Sequence, residues 1–210
     1  MSGRSPEPPI QFKDGAAWLI GSGDEVGWIN EGFTAGLSIT AAIPPIFASY
    51  ATLTPALEPL SDEAARRAQD DRFDAAVLRV LCAHTERQPW WLGFLDTGAT
   101  DVVFDGARRA AVYYGWGYVL VQAGPHEART WRRGQRWLTA LPELMFPADH
   151  SWLLSSLWDD AWACVGGPEA LIHGLLEDPD LAACAQRTDP SVSDMWPDAL
   201  PDWMHDQLKR

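Results

Sequence analysis

Residues 90–122, WWLGFLDTGATDVVFDGARRAAVYYGWGYVLVQ, carry the densest β-strand signal in the chain. Four runs within them, over residues 91–95, 101–104, 110–114 and 118–122, are rich in aromatic and β-branched side chains, which favour strands. The segments between these runs contain Gly98, Gly106, Gly115 and Gly117. Because glycine adopts the positive φ angles at which a chain reverses, this spacing predicts four strands of an antiparallel meander.

The flanking segments predict helices that could cover such a sheet. Residues 61–84 place apolar side chains at helical spacing, with Ser61 as a candidate N-cap and Asp74 on the solvent side. The apolar positions are Phe73, Val77, Val80, Leu81 and His84. Residues from Pro125 onward and from Pro168 onward predict two more helices. We therefore expect an α+β fold in which an antiparallel sheet of about five or six strands carries helices mainly on one face.

Three other segments give weaker predictions. Pro44 and Pro45 are expected to start a helix that carries Ile46, Phe47 and Tyr50 on one face. Residues 143–147 are expected to form an extended connection. Residues 151–158 and 161–165 are expected to pair as a hairpin around a tight turn at residues 159–160.

The sequence divides into three regions by composition. Residues 1–13 contain three prolines and no periodic pattern, which predicts a flexible tail. Residues 14–187 are expected to form a single globular domain. Residues 188–210 are rich in Asp and Pro, with isolated Met and Trp side chains, which predicts a second tail that wraps the domain or binds a partner.

Composition excludes several classes of function. The formal charge is −13, so general binding to nucleic acids or anionic membranes is disfavoured. No apolar run is long enough for a membrane span or a secretion signal, and we expect a cytoplasmic protein. The cysteines at positions 82, 164 and 184 lack metal-site spacing, so buried free thiols are expected. The sequence predicts no cofactor, no metal and no assigned catalytic residue.

Three short motifs could carry chemistry, and each has a simpler explanation. The loop at residues 21–27 resembles a phosphate-binding turn, but it contains two acids and the following residues do not predict a helix. Asp149 and His150 could act as an acid–base pair, although neighbouring strand residues point to opposite sides. Asp159 and Asp160 could bind a cation, yet aspartates in tight turns commonly accept hydrogen bonds from nearby amides.

The most suggestive polar pattern is a stripe of four arginines. Arg129, Arg132, Arg133 and Arg136 are spaced at i, i+3, i+4 and i+7, so a helix would place all four on one face. Such a stripe needs an anion nearby unless it is simply solvated. The anion could belong to the acid-rich segment after residue 158, to a small ligand or to an acidic partner protein. Gly134 weakens the helix within the stripe.

A second candidate binding residue is Trp116. It lies between Gly115 and Gly117, where a turn is expected and burial is not. Aromatic faces bind sugar rings, cations and flat ligands, whereas packing in the core is the alternative for any tryptophan.

Two functions from different classes fit these features. The first is a non-enzymatic acidic module that binds a basic protein, in outline like small bacterial immunity or regulatory modules. The second is a small-molecule-binding domain or an enzyme that holds an anionic ligand in a cleft lined by the arginines and Trp116. A flat acidic patch would favour the first function, and an apolar pocket with converging polar groups would favour the second.

Overall fold

A computed structural model describes residues 10–33, 39–55, 62–85, 87–98, 102–132, 140–157 and 162–191. These residues form one antiparallel sheet of ten strands together with four α-helices and two short 3-10 turns. The strands are β1 Ile10–Lys13, β2 Ala16–Ile20, β3 Ser49–Leu53, β4 Trp90–Leu95, β5 Ala110–Val112, β6 Trp116–Ala123, β7 Leu144–Pro147, β8 Leu153–Ser155, β9 Ala163–Gly167 and β10 Ala185–Thr188. The helices are α1 Gly27–Gly32, α2 Glu63–Ala83, α3 Pro125–Thr130 and α4 Glu169–Glu177.

The strands follow the order β1-β2-β6-β4-β7-β8-β9-β3-β10, and β5 pairs with β6 beside this path. The α+β class with an antiparallel sheet is therefore confirmed, but the sheet is larger than predicted. The central stretch is not a sequential meander, because β4 pairs with β6 and β7 instead of β5. This difference is long-range, since nothing in residues 90–122 specifies that β7 takes the free edge of β4.

One predicted strand, over residues 101–104, is wrong. In the described part of this segment, Phe104 has a φ of 62°, which no extended strand allows. The Ala107 amide then donates to the Phe104 carbonyl at 2.8 Å and closes a turn. The local β-propensity of the segment is therefore overridden by the need to reverse the chain before β5.

The long helix was predicted correctly as α2. Its N-cap is Asp62, whose side chain accepts from the Ala64 amide at 2.9 Å, and the expected cap Ser61 lies outside the described residues. The predicted core side chains at 73, 77, 80 and 81 are buried, but His84 is exposed at the C-cap of the helix. Asp74 was expected in solvent but is fully buried. Its carboxylate accepts from the Ala140 amide at 3.1 Å, so a partner distant in sequence permits the burial.

The prediction of a helix after Pro44 is also wrong. Residues 44–48 form turns, and the chain enters β3 at Ser49. This strand has neighbours on both sides, β9 and β10, and tertiary pairing of that kind outweighs a local helical pattern. The predicted connection at residues 143–147 is likewise a strand, β7, between β4 and β8.

The predicted tails are partly within the sheet. Residues 10–13 form the edge strand β1, and Thr188 is the last residue of the other edge strand, β10. Residues 192–210 lie outside the described part of the chain. Among the described residues, no helix is both long and apolar enough to cross a membrane.

The apolar core has two parts, one on each face of the sheet, because successive strand residues point to opposite sides. The first core takes alternate residues of β4 and β6, including Phe94 and Val119, and receives side chains from α2, α3 and α4. The second core takes the intervening residues, including Leu95 and Tyr118, and receives α1 and residues 39–43. This alternation determines which candidate side chains can meet.

Candidate functional site

Two of the four predicted arginines can be placed. Helix α3 begins at Pro125 as expected, and Glu127 accepts from the Gly124 amide at 3.0 Å. Arg129 lies in its last turn, and Arg132 follows directly after the C-cap, Trp131. Arg133 and Arg136 lie outside the described residues, so the four-arginine stripe remains a prediction.

Arg132 is buried in an ion pair. Its side chain is only 10% exposed, and its Nη1 donates to Oε1 of Glu143, which is 15% exposed. The other carboxylate oxygen of Glu143 accepts from the Leu95 amide at 3.0 Å. The guanidinium carbon lies 5.2 Å from the centre of the Phe94 ring. Glu143 therefore fixes the guanidinium against the end of β4, above an aromatic face.

The remaining donors of Arg132 are unusual. Nε and Nη2 are both buried, and neither makes a hydrogen bond within the described structure. These two nitrogens form one edge of the planar guanidinium, the edge that pairs side-on with two oxygens of a carboxylate or phosphate. The Nε atom of Arg129 is also buried and makes no hydrogen bond to any residue that the structure describes. Each buried donor left unpaired costs about 1–3 kcal/mol, so an anion at this edge would be strongly favoured.

A group of aromatic side chains adjoins the Phe94 ring, over which the guanidinium lies. The Trp131 ring lies 4.9 Å from Trp18, 5.7 Å from Phe104 and 6.0 Å from Phe94, measured between ring centres. Trp18, Phe104 and Trp131 are half-buried, so this aromatic group reaches the surface. We call Trp18, Phe94, Phe104, Trp131, Arg132 and Glu143 the Arg132 cluster.

The loop that carries Phe104 is held in place by a second arginine. Arg108 donates from Nε to the Gly21 carbonyl at 2.8 Å and from Nη2 to the Ile20 carbonyl at 3.1 Å. These bonds tie the loop to the end of β2, the strand that carries Trp18. Phe104 is thereby kept at its left-handed φ with its ring against Trp131.

Trp116 does not join the Arg132 cluster. It opens strand β6, and its partly buried ring packs against the second core and lies 5.7 Å from the Tyr114 ring. Phe94 and Trp131 belong to the first core or pack against it. The arginine site and Trp116 therefore lie on opposite faces of the sheet, and a single cleft lined by both is not formed.

A second polar cluster, which no sequence pattern predicted, lies in the second core. The Tyr113 and Ser155 hydroxyls are 2.6 Å apart, whereas the buried Tyr118 hydroxyl makes no hydrogen bond among the described residues. Burial raises the pKa of both tyrosines, and it raises the pKa of the Cys164 thiol. These groups stay protonated near neutral pH and are not ready nucleophiles. The only sequence signal for this polar cluster is the alternation of residues in β6, which places the Tyr118 side chain in the core.

The minor candidates have structural explanations. Ser22 and Glu25 form a capping box at residues 23–25, and a short helix, α1, follows it contrary to expectation. His150 stacks on Trp28, with ring centres 4.6 Å apart, and Asp149 accepts from the Ser151 amide at 3.0 Å. Residues 159 and 160 lie outside the described part of the chain.

The three cysteines differ in their exposure to solvent. Cys164 is buried and Cys184 is intermediate, but Cys82 is exposed on α2, so the expectation of buried thiols fails there. Within the described ranges, no group of three or more His, Cys, Asp or Glu residues is arranged to hold a metal ion.

Comparison with known proteins gives no relative from which a function could be transferred. The chain matches no protein family, no curated protein and no solved structure. Functional inference therefore depends on the geometry of the Arg132 cluster.

Proposed function

We propose that this protein binds a small anionic ligand at the Arg132 cluster. One observation carries the proposal: among the described residues, the Nε–Nη2 edge of a buried arginine has no hydrogen-bond acceptor, while Glu143 fixes the same guanidinium from its other side. A buried arginine that served only to pair with Glu143 would leave two strong donors unpaired at a considerable cost in stability. An anion bound side-on would satisfy both donors.

Fixation by Glu143 also supports binding. Ligand binding loses less free energy to ordering when the binding group is already held in position, and both oxygens of Glu143 are engaged, with Arg132 and with the Leu95 amide. The edge is covered in the unliganded protein, since Nε and Nη2 are inaccessible to solvent. Binding therefore requires a local displacement of the atoms that cover the edge.

The proposal can be tested by ligand-induced stabilisation. Thermal unfolding would be recorded in inorganic phosphate and in acetate, chloride serving as the ionic-strength control, and native mass spectrometry would detect any anion that co-purifies. A ligand present at 100 times its Kd stabilises the folded state by about 2.7 kcal/mol. For a domain of this size, each kcal/mol corresponds to about 2–4 °C in Tm.

Two matched variants localise the effect. Arg132→Lys keeps a cation beside Glu143 but lacks the two-donor edge, so we expect it to lose the stabilisation by anions. Arg187→Lys alters an exposed arginine that pairs with Glu169, and we expect it to respond like the wild type. A wild-type protein that carries no anion and gains no stability from either probe would overturn the proposal.

The negative net charge of the chain favours a second candidate function. The charge of −13, with nine acidic residues and one arginine in residues 151–200, supports a non-enzymatic module of the bacterial immunity or regulatory type. Its partner would be a basic protein. Native mass spectrometry separates the two proposals, because a basic protein at fixed stoichiometry favours the module and a bound small anion favours the ligand site.

A further inference from the structure

Resting on the proposed anion site, we infer that the ligand is a monocarboxylic acid with a flat apolar body. Three features of the Arg132 cluster support this class of ligand: its charge balance, the shape of its donor edge and its aromatic wall. The first two features argue against phosphate esters, and the third argues against purely polar anions.

Charge balance favours one negative charge on the ligand. Arg132 and Glu143 form an ion pair whose two charges cancel. Asp74 is a further buried acid of this core, and its hydrogen bond from the Ala140 amide does not cancel its negative charge. A monoanion therefore adds the smallest negative charge that can pair with the donor edge. A dianionic phosphate would leave a buried excess charge, which is costly.

The donor edge matches a carboxylate. Nε and Nη2 of Arg132 lie in one plane, and a planar carboxylate places its two oxygens opposite both. A phosphate would also use two oxygens, but its remaining oxygens would need further donors beside a guanidinium that lies over the apolar Phe94 ring. Polar oxygens buried against such a surface lose hydrogen bonds to water without replacement.

The aromatic side chains of the Arg132 cluster favour a ligand with a flat apolar group. Trp18, Phe104 and Trp131 form edge-to-face contacts and are half-buried, and Trp131 adjoins the Phe94 ring over which the guanidinium lies. Phe104 holds its ring there from a left-handed backbone conformation, with φ at 62°. A bulky residue in that conformation is strained, and such strain persists where the surrounding structure holds it, often in binding sites. A flat apolar group could pack against these rings.

A matched set of small probes tests the class of ligand by calorimetry and thermal unfolding. Benzoate has both features, acetate lacks the apolar body, benzyl alcohol lacks the charge, and phenyl phosphate replaces the carboxylate by a dianion. We expect benzoate to bind at least about tenfold more tightly than each of the other three. Arg132→Lys should abolish benzoate binding, and Trp131→Phe should weaken it.

Trp116→Leu is the control, because Trp116 lies on the opposite face of the sheet, and its benzoate affinity should equal that of the wild type. Unliganded Tm values identify variants that fail to fold, and the milder Trp131→Phe change keeps the test decisive if Arg132→Lys is unstable. Phenyl phosphate binding as tightly as benzoate, in an Arg132-dependent way, would overturn the carboxylate inference and leave the proposed function standing. Failure of all four probes and of inorganic phosphate would overturn both.

Discussion

The Tyr113 and Ser155 hydroxyls lie 2.6 Å apart, although the tyrosine belongs to the β5–β6 turn and the serine to β8. Two strands, β4 and β7, separate β6 from β8 in the sheet. Neighbouring strands are about 4.8 Å apart, so a flat sheet would separate β6 and β8 by about 14 Å. The β5–β6 turn therefore folds over the second face of the sheet towards β8. Asn30 braces this turn with two hydrogen bonds of 2.9 Å, to the Ala111 carbonyl and from the Tyr113 amide.

This contact should contribute measurably to stability. Tyr113→Phe leaves the fully buried Ser155 hydroxyl without its partner, and Ser155→Ala does the same to Tyr113. We expect each variant to lose about 1–2 kcal/mol of unfolding free energy in urea denaturation. The double variant should lose clearly less than the sum, since it leaves no unpaired hydroxyl.

Tyr118→Phe is the matched control for this cycle. Its hydroxyl lies in the same core and makes no hydrogen bond within the described structure, so its removal should be neutral or stabilising. If Tyr118→Phe loses as much unfolding free energy as Tyr113→Phe, the Tyr113–Ser155 hydrogen bond does not contribute specifically to stability.

Gly93 should tolerate no side chain, because it lies in the middle of β4 between two strands. A Cβ atom at this position would lie 2.7 Å from the Leu144 Cβ and 3.2 Å from a Leu120 methyl group. Gly93→Ala should therefore lower the unfolding free energy by about 1–3 kcal/mol through overpacking, as measured by urea denaturation. Gly106→Ala is the control, since its Cβ would meet no atom within 4 Å. Equal stability of the two variants would contradict the tight packing.

His150 should make stability depend on pH below neutrality. Burial against Trp28 and Phe146 lowers the pKa of His150 from its ordinary value of 6.5, although the neighbouring Asp149 carboxylate opposes the shift. The folded state therefore binds the proton less tightly than the unfolded chain. This contribution to stability is complete above pH 6.5 and is lost as the pH falls through 6.5 towards the lower folded-state pKa.

The His150 prediction is tested by a difference in pH dependence. Asn suits the φ of 57° at this position and does not titrate, so His150→Asn should lose less stability than the wild type between pH 7.5 and pH 5. His126→Asn alters an exposed histidine and should keep the wild-type pH dependence. If His150→Asn also keeps the wild-type pH dependence of stability, His150 is not the group responsible for that dependence.

Local patterns alone were sufficient for several elements. The apolar periodicity of residues 73–81 indicated α2, Gly124 and Pro125 indicated the start of α3, and the β-rich runs indicated β4, β5 and β6. In each case a signal within one short segment agrees with the final fold. The same reasoning correctly paired β8 with β9, but the predicted two-residue connection is wrong, because β8 ends at Ser155 and β9 begins at Ala163.

The arginine stripe also directed attention to Arg132 from the sequence alone, but only the tertiary structure placed Glu143 against it and Trp116 on the other face. The structure likewise decided that β7 lies beside β4, that residues 49–53 form a strand and that Asp74 is buried. All of these depend on partners far along the chain, whose free energies of pairing and burial exceed the local preferences that a sequence displays. The amino-acid sequence by itself thus determined the fold class and the main helices. Long-range pairing decided the order of the strands. It also buried the Nε–Nη2 edge of Arg132 where no described residue accepts a hydrogen bond from it.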